Sequence, residues 1–343
     1  MRWLSRVFGG DARAPRDVDS ALRAALLSVL ERDWDEAERL LVAAARFDSS
    51  AVEPYLALAR LCRQRGEIGR AIRLHQNLLL RLDPRSEHGL IALEDLAADF
   101  RQGGFLRRAI ASYEELLALA PGHRGALRAL VRLHTEVRDF ERAIELARKR
   151  ARAEGGGATR AEAGLRIQMA EALEAEGRSD EARRAVKKAL RKDQGSVRAW
   201  ILLGTLEAER ERPKAALAAW SRVPQLDRRS GAQVYPRLEA TYAALGRARE
   251  FETWLRGLLA QQPDDPPARI ALARHLAARG EVDEAVAELR RVIAGASDDL
   301  DARATLGRVL LAEHRDAEAV KEYAELLDVL ERRRVPVPGE GLA

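Results

Sequence analysis

The chain has 343 residues with 59 Lys+Arg against 54 Asp+Glu, a net charge of +5, 5% aromatic residues and one cysteine. The single Cys62 excludes a disulfide framework and a four-cysteine zinc site, and no apolar run reaches the roughly 20 residues that cross a bilayer. A third of the residues are charged and only 12 are proline, which favours a helix-rich chain over a mixed α/β enzyme.

The first ten residues, MRWLSRVFGG, lack the apolar core of a signal peptide, so export is not expected and the protein reads as cytoplasmic. Trp3, Leu4, Val7 and Phe8 would share one face of a helix, flanked by Arg2 and Arg6. That pattern suits a short membrane-surface segment with weak, salt-sensitive binding. A disordered leader, or a cap over the first repeat's apolar face, fits the same ten residues.

From residue 18 onward the chain repeats itself. Aligning a small residue after each predicted turn gives Ala37, Ala71, Ala109, Ala143, Ala182, Ala216, Phe251, Ala285 and Ala319, with spacings of 34 to 39 residues. Twelve residues before each stands a second, usually small position: Ala25, Ala59, Ala97, Ala170, Gly204, Ala273 and Gly307, with Val131 and Glu239 as exceptions. Trp200, Leu203 and Gly204 spell W-x₂-L-G, and Tyr113, Trp220 and Tyr323 fill an aromatic slot four residues after the anchor. This is the pattern of the tetratricopeptide repeat. The chain is therefore expected to be an all-α solenoid of about nine helical hairpins forming a right-handed superhelix.

The second repeat shows the local logic. It predicts a first helix from Glu53 to Gln64, a turn at Arg65-Gly66-Glu67, and a second helix from Ile68 to about Leu82, stopped by Asp83-Pro84. Ile72, Leu74, Leu78 and Leu79 form an apolar stripe that one hairpin cannot bury alone, so neighbouring repeats must cover it. Two spacings depart from the repeat, around RLDPRSEHG and around RAEGGGATR. The three glycines Gly155 to Gly157 break any helix. The expected organisation is an N-terminal segment at 1–17, repeats one to four at 18–154, a Gly-rich joint at 155–162, repeats five to nine at 163–331, and a disordered tail at 332–343. A longer loop in one rigid solenoid is the other reading of the glycines.

The sequence contains no P-loop, no G-x-S-x-G and no H-E-x-x-H, and its six histidines do not pair at metal-ligand spacing. No catalytic residue, metal or cofactor is expected. His75 takes the aromatic slot of the second repeat and reads as a packed imidazole, Cys62 as a small buried hydrophobe, and Glu114-Glu115 as surface charge. Partner binding is expected on the inner face of the first helices, where repeats two to four place Arg60, Arg63, Arg101, Arg128 and Arg132, with Gln64 and Thr135 beside them. Guanidinium forks bind carboxylates bidentately, so this track suits an acidic peptide or helix. The same arginines also read as dispersed solvated charges. Stacking aromatics are missing from the track, which argues against nucleic acid.

Two stretches carry a closer resemblance. AVEPYLALARLCRQRGEIGRAIRLHQNLLLR, followed by LIALEDLAADFRQGGFLRRAIASYEELL, resembles the second and third repeats of the bacterial lipopolysaccharide assembly protein B family, above all in the core from Arg65 to Gln76. Weaker similarity continues through AWILLGTLEAER and LEATYAALGRAREFETWLRGLL. The resemblance implies a non-catalytic adaptor that restrains lipopolysaccharide synthesis by presenting the committed deacetylase of lipid A synthesis to a membrane-bound AAA+ protease. Members of that family begin with a transmembrane helix and end in a rubredoxin-like zinc ribbon with two C-x₂-C pairs. Here the first ten residues are amphipathic and the closing ERRRVPVPGEGLA has no cysteine, so neither feature is expected, and the N-terminal segment is the candidate peripheral contact with the inner membrane. A general scaffold or co-chaperone for a secretion or pilus-type assembly, and a repeat arm regulating a separate enzyme, are the alternative functions.

Overall fold

The computed structural model describes residues 15–157 and 159–334, and the proposed membrane-surface residues Arg2, Trp3, Leu4, Arg6, Val7 and Phe8 lie outside them. Among the described residues there is no β-strand. Eighteen helices of eight or more residues follow one another as hairpins. They are α1 (Val18–Leu30), α2 (Trp34–Phe47), α3 (Glu53–Gln64), α4 (Ile68–Leu79), α5 (Glu87–Gln102), α6 (Leu106–Leu119), α7 (Arg124–Glu136), α8 (Phe140–Ala153) and α9 (Thr159–Ala175). The series continues with α10 (Ser179–Leu190), α11 (Val197–Glu209), α12 (Pro213–Trp220), α13 (Tyr235–Ala244), α14 (Ala248–Gln261), α15 (Pro266–Ala278), α16 (Val282–Gly295), α17 (Leu300–Ala312) and α18 (Asp316–Arg334). A single helical turn, Val223–Leu226, and a 3₁₀ turn, Arg229–Gln233, fill the connection before α13. The fold is a tetratricopeptide-repeat solenoid, divided into two compact units, Met1–Leu165 and Arg166–Ala343.

Each hairpin closes because its small residues let two helices touch. All nine aligned anchors, from Ala37 to Ala319 and including Phe251, are fully buried. The partner positions do the same from the first helix: Ala59, Ala97, Ala170 and Ala273 have no exposed surface, and Ala25 only 2%. Glycine is required where the facing residue is aromatic. A Cβ on Gly204 would lie 2.2 Å from the Trp220 indole nitrogen, and one on Gly307 would lie 2.8 Å from the Tyr323 ring. The seventh repeat inverts the arrangement, burying Phe251 against Tyr242, Trp254 and His275 while its first helix carries Glu239.

The turns obey a rule that composition hides. In every hairpin the residue five before the anchor is left-handed: Gly66, Gly104, Gly177, Gly246 and Gly280, but also Arg32, Arg138, Glu211 and His314. A side chain there costs about 1 kcal/mol or more of backbone strain. The four non-glycine turns are held open by the packing of the helices they join.

Helix starts are locally encoded. Asp17 and Ser20 form a reciprocal capping box on α1, and Asp33, Ser86, Asp139, Ser196 and Asp299 each accept a backbone N–H at the start of their helices. Helix α4 ends at Leu79, three residues before the expected Leu82, because Leu80–Leu82 turn toward the longer connection. That connection folds back over α5, where a Cβ on Gly89 would meet the Asp83 carbonyl at 2.2 Å. Of the expected joint, Gly155 turns the chain with φ +71°, whereas 159–162 already belong to α9. Glu162 is buried there and receives both the Nε and Nη2 donors of Arg148 at 2.9 and 2.6 Å.

Candidate partner-binding surface

In the first unit, the inner track of arginines separates into two classes. Arg60 and Arg63, one turn apart on α3, face α5, which presents Asp95 and Asp99 one turn apart. Arg60 Nε donates to Asp95 Oδ2 at 2.6 Å, and Arg63 donates to Asp95 Oδ1 and Asp99 Oδ1, both at 2.9 Å, and to the Asp95 carbonyl at 3.0 Å. Asp99 is fully buried and its other oxygen meets His75 Nδ1 at 2.6 Å. Burial opposes the Arg63 charge, but the hydrogen bond to Asp95 and the charges of Asp95 and Asp99 overcome it, and its pKa stands above the ordinary arginine value. Arg63 is thus a structural ion. Only 19% of its side chain is exposed, against 52% for Arg60.

The other three arginines are available. Arg101 on α5 and Arg128 and Arg132 on α7 are exposed, and among the described residues none has a carboxylate within 4 Å. Gln102 ties the two classes together by donating to the Arg63 carbonyl at 3.3 Å. Gln64 is exposed beside Arg60. Thr135 turns its hydroxyl back onto the Val131 carbonyl at 2.7 Å, which leaves its oxygen lone pairs but not its proton for a partner. Of the seven expected partner-binding residues, Arg63 is thus ion-paired within the fold, Arg60 is ion-paired but half exposed, and Arg101, Arg128 and Arg132 are exposed.

The track ends in an apolar cleft of about 480 Å³ between α1, α2 and α3. The cleft is lined by Leu22, Leu26 and Val29 of α1, Trp34 and Leu41 of α2, and Ala57, Arg60 and Gln64 of α3. Leu26 and Leu30 are 61% and 66% exposed on α1. Nothing in the arginine count pointed to this cleft. The signal was the first repeat itself, whose inner positions are leucine and valine where the next repeats hold arginine.

The second unit carries a mixed inner face. Glu171, Glu174 and Glu209 lie together on α9 and α11, and Glu174 is pushed above the usual carboxylate range by burial and by the two neighbouring charges. Arg237, Arg274 and Arg308 follow on α13, α15 and α17, bonded to Thr205, to Asp301 and Thr305, and to Thr305.

The remaining candidates for chemistry are structural. Cys62 is buried and burial pushes its thiol pKa up, away from reactivity. His75 is buried as expected of a packed imidazole, but its bond to Asp99 was not foreseen. Glu114 and Glu115 are exposed. Among the described residues there is no cluster of three metal-ligating side chains, and no helix long and apolar enough to cross a membrane.

Comparison with known proteins agrees with the repeat assignment. Tetratricopeptide-repeat models match residues 55–89, 163–206 and 243–299. Lipopolysaccharide assembly protein B of Escherichia coli strain K12 is 27% identical over 252 residues, 73% of this chain and 64% of that protein. The protein of the same name from Haemophilus influenzae strain ATCC 51907 is 29% identical over 206 residues, 60% of this chain and 52% of that one. The chain thus spans less than two thirds of the length of the curated relatives it matches. Among solved structures, a tetratricopeptide-repeat protein from Parabacteroides merdae is 15% identical over 76% of this chain and 98% of its own, with a TM-score of 0.37, too loose a likeness to build on.

Proposed function

We propose that this protein is a non-catalytic adaptor that binds an acidic segment of a protein partner on the inner face of its first unit and thereby regulates lipopolysaccharide or envelope biosynthesis, coupling a biosynthetic enzyme to a protease or assembly complex. The observation that carries the binding role is the row of Arg101, Arg128 and Arg132, three exposed guanidiniums without a carboxylate partner on a repeat scaffold. The envelope role rests on the similarity to lipopolysaccharide assembly protein B. We place the protein at the cytoplasmic face of the inner membrane, with residues 1–8 as a weak peripheral contact. Flotation with anionic vesicles tests that placement: the full chain floats at low salt, and Trp3→Ser with Phe8→Ser does not.

The function is tested in the native host. Removing the protein should change the cellular amount of lipopolysaccharide and the lifetime of one of its biosynthetic enzymes, and wild-type protein should restore both. Arg128→Glu with Arg132→Glu should not. Unchanged lipopolysaccharide and unchanged enzyme lifetimes would remove the envelope role.

A further inference from the structure

The apolar cleft and the free arginines lie on successive helices of the first unit. The cleft's rim includes Arg60, Arg63 and Gln64; the Arg63 carbonyl accepts from Gln102; and Gln102 adjoins Arg101. The start of α7, which carries Arg128 and Arg132, lies against α5, since a Cβ on Gly125 would meet the Glu94 carboxylate. Among the described residues no carboxylate lines the cleft, and the charged side chains that do are Arg60 and Arg63. The rest of its lining is apolar apart from Gln64, with Ala25 and Leu41 only 2% and 3% exposed. Whatever fills this surface needs apolar side chains at one end and negative charge at the other.

We propose that the inner face of the first unit is a two-part dock for one amphipathic acidic segment of a partner protein, whose apolar residues fill the cleft between α1, α2 and α3 and whose carboxylates meet Arg101, Arg128 and Arg132. This deepens the adaptor reading and rests on it. A bilayer fits the surface less well, because it would not fill a cleft of about 480 Å³ side chain by side chain. Nucleic acid would supply the charge but not the apolar side chains that the cleft is shaped to take.

The geometry also sets a spacing. Neighbouring packed helices lie about 8–10 Å apart, so the step from the cleft, past α5, to the arginines of α7 is roughly 20–30 Å. An extended chain covers about 3.3–3.6 Å per residue, which places the acidic residues roughly six to nine positions from the apolar ones. The segment is bound by two weak contacts in series, so losing either is costly while neither alone holds it.

The test uses the full chain and fluorescein-labelled synthetic peptides, read by anisotropy at low salt. The reference probe has a Leu/Phe-rich head, a neutral spacer of about eight residues and three glutamates, prepared in both chain directions. Controls replace glutamate by glutamine, replace the apolar head by serine, or shorten the spacer to two residues. The better direction of the reference probe should bind about tenfold or more tighter than each control, the scale of one lost charge-assisted contact. Arg128→Glu with Arg132→Glu should reduce the reference probe to the level of the glutamine control, and Leu26→Glu to that of the serine control. All three residues are exposed, and circular dichroism checks that helicity is kept. Equal binding of the reference and its controls, or no binding of any probe, overturns the dock. If Trp3→Ser with Phe8→Ser tightens binding of the head tenfold, the chain's own first residues occupy the cleft and the proposal is likewise overturned. A protein that discriminates the probes but leaves lipopolysaccharide unchanged keeps the dock and loses the envelope role; the converse keeps the role and moves the dock.

Discussion

Helices α3 and α7 each carry two arginines, yet the pair on α3 is tied to carboxylates of α5 while among the described residues the pair on α7 meets none. Arg60 and Arg132 each follow the helix's small-residue position by one, and in sequence they look alike. What the pair on α3 has is its neighbouring helix α5, which offers it Asp95 and Asp99. Residue type and register alone do not tell the two apart. The neighbouring helix decides whether an arginine is spent on the fold or left for a partner.

The sharpest way to break this comparison is to reverse the charge that the fold consumes. Arg63→Glu would set a third carboxylate against Asp95 and Asp99 and should cost at least about 3–5 kcal/mol, the cost of breaking a buried pair by removing one partner, seen as a collapse of the denaturant midpoint. That outcome would divide the expected track, giving Arg63 to the fold and leaving Arg101, Arg128 and Arg132 for a partner. Asp99→Asn comes next. It keeps the shape but withdraws the charge that Arg63 and His75 share, a loss of about 1.5–3 kcal/mol in the same measurement.

Two smaller effects sharpen the contrast. Asp265, as completely buried as Asp99, caps α15 through one oxygen, while its other oxygen has no hydrogen-bond partner, and burial pushes its pKa up. A carboxyl with a raised folded-state pKa destabilises the fold increasingly as pH climbs above its unfolded value. Asp265→Asn, which preserves the cap, should therefore be more stable than wild type at pH 7.5, with the gain fading as pH falls toward about 4 and absent below it. A wild type that is the more stable at neutral pH would show that Asp265 is paired after all. The smallest effect lies at the turn between α7 and α8, where Arg138 has φ +61°. Arg138→Gly should raise stability by about 0.5–1 kcal/mol through relief of left-handed strain, net of glycine's entropy, and leave acidic-probe binding unchanged.

The repeat was legible because close helix packing demands small residues at fixed intervals, and every anchor from Ala37 to Ala319 is buried in the structure. The left-handed turns were half legible: glycine announces five of them, but Arg32, Arg138, Glu211 and His314 adopt the same backbone only because the helices on either side impose it. Of the arginines expected to bind a partner, register alone did not tell the ion-paired Arg63 from the exposed Arg101, Arg128 and Arg132. Asp95 and Asp99 were missed because a third of the chain is charged, so two acids one turn apart read as ordinary helix surface. Their setting in LEDLAADF, flanked by the leucines, alanines and phenylalanine of a buried helix, was the available signal that these carboxylates lie inside. The cleft was less legible still, since it needs three helices to exist.

The account's central claim is that the arginines without an internal partner are the ones that bind. It is tested most directly by the affinity of one acidic probe for two matched substitutions, Arg132→Gln and Arg60→Gln, on exposed residues of the same register. Arg132→Gln should weaken binding about tenfold, the scale of one charge-assisted contact, and Arg60→Gln less than about twofold. Equal losses, or a larger loss at Arg60, would contradict it.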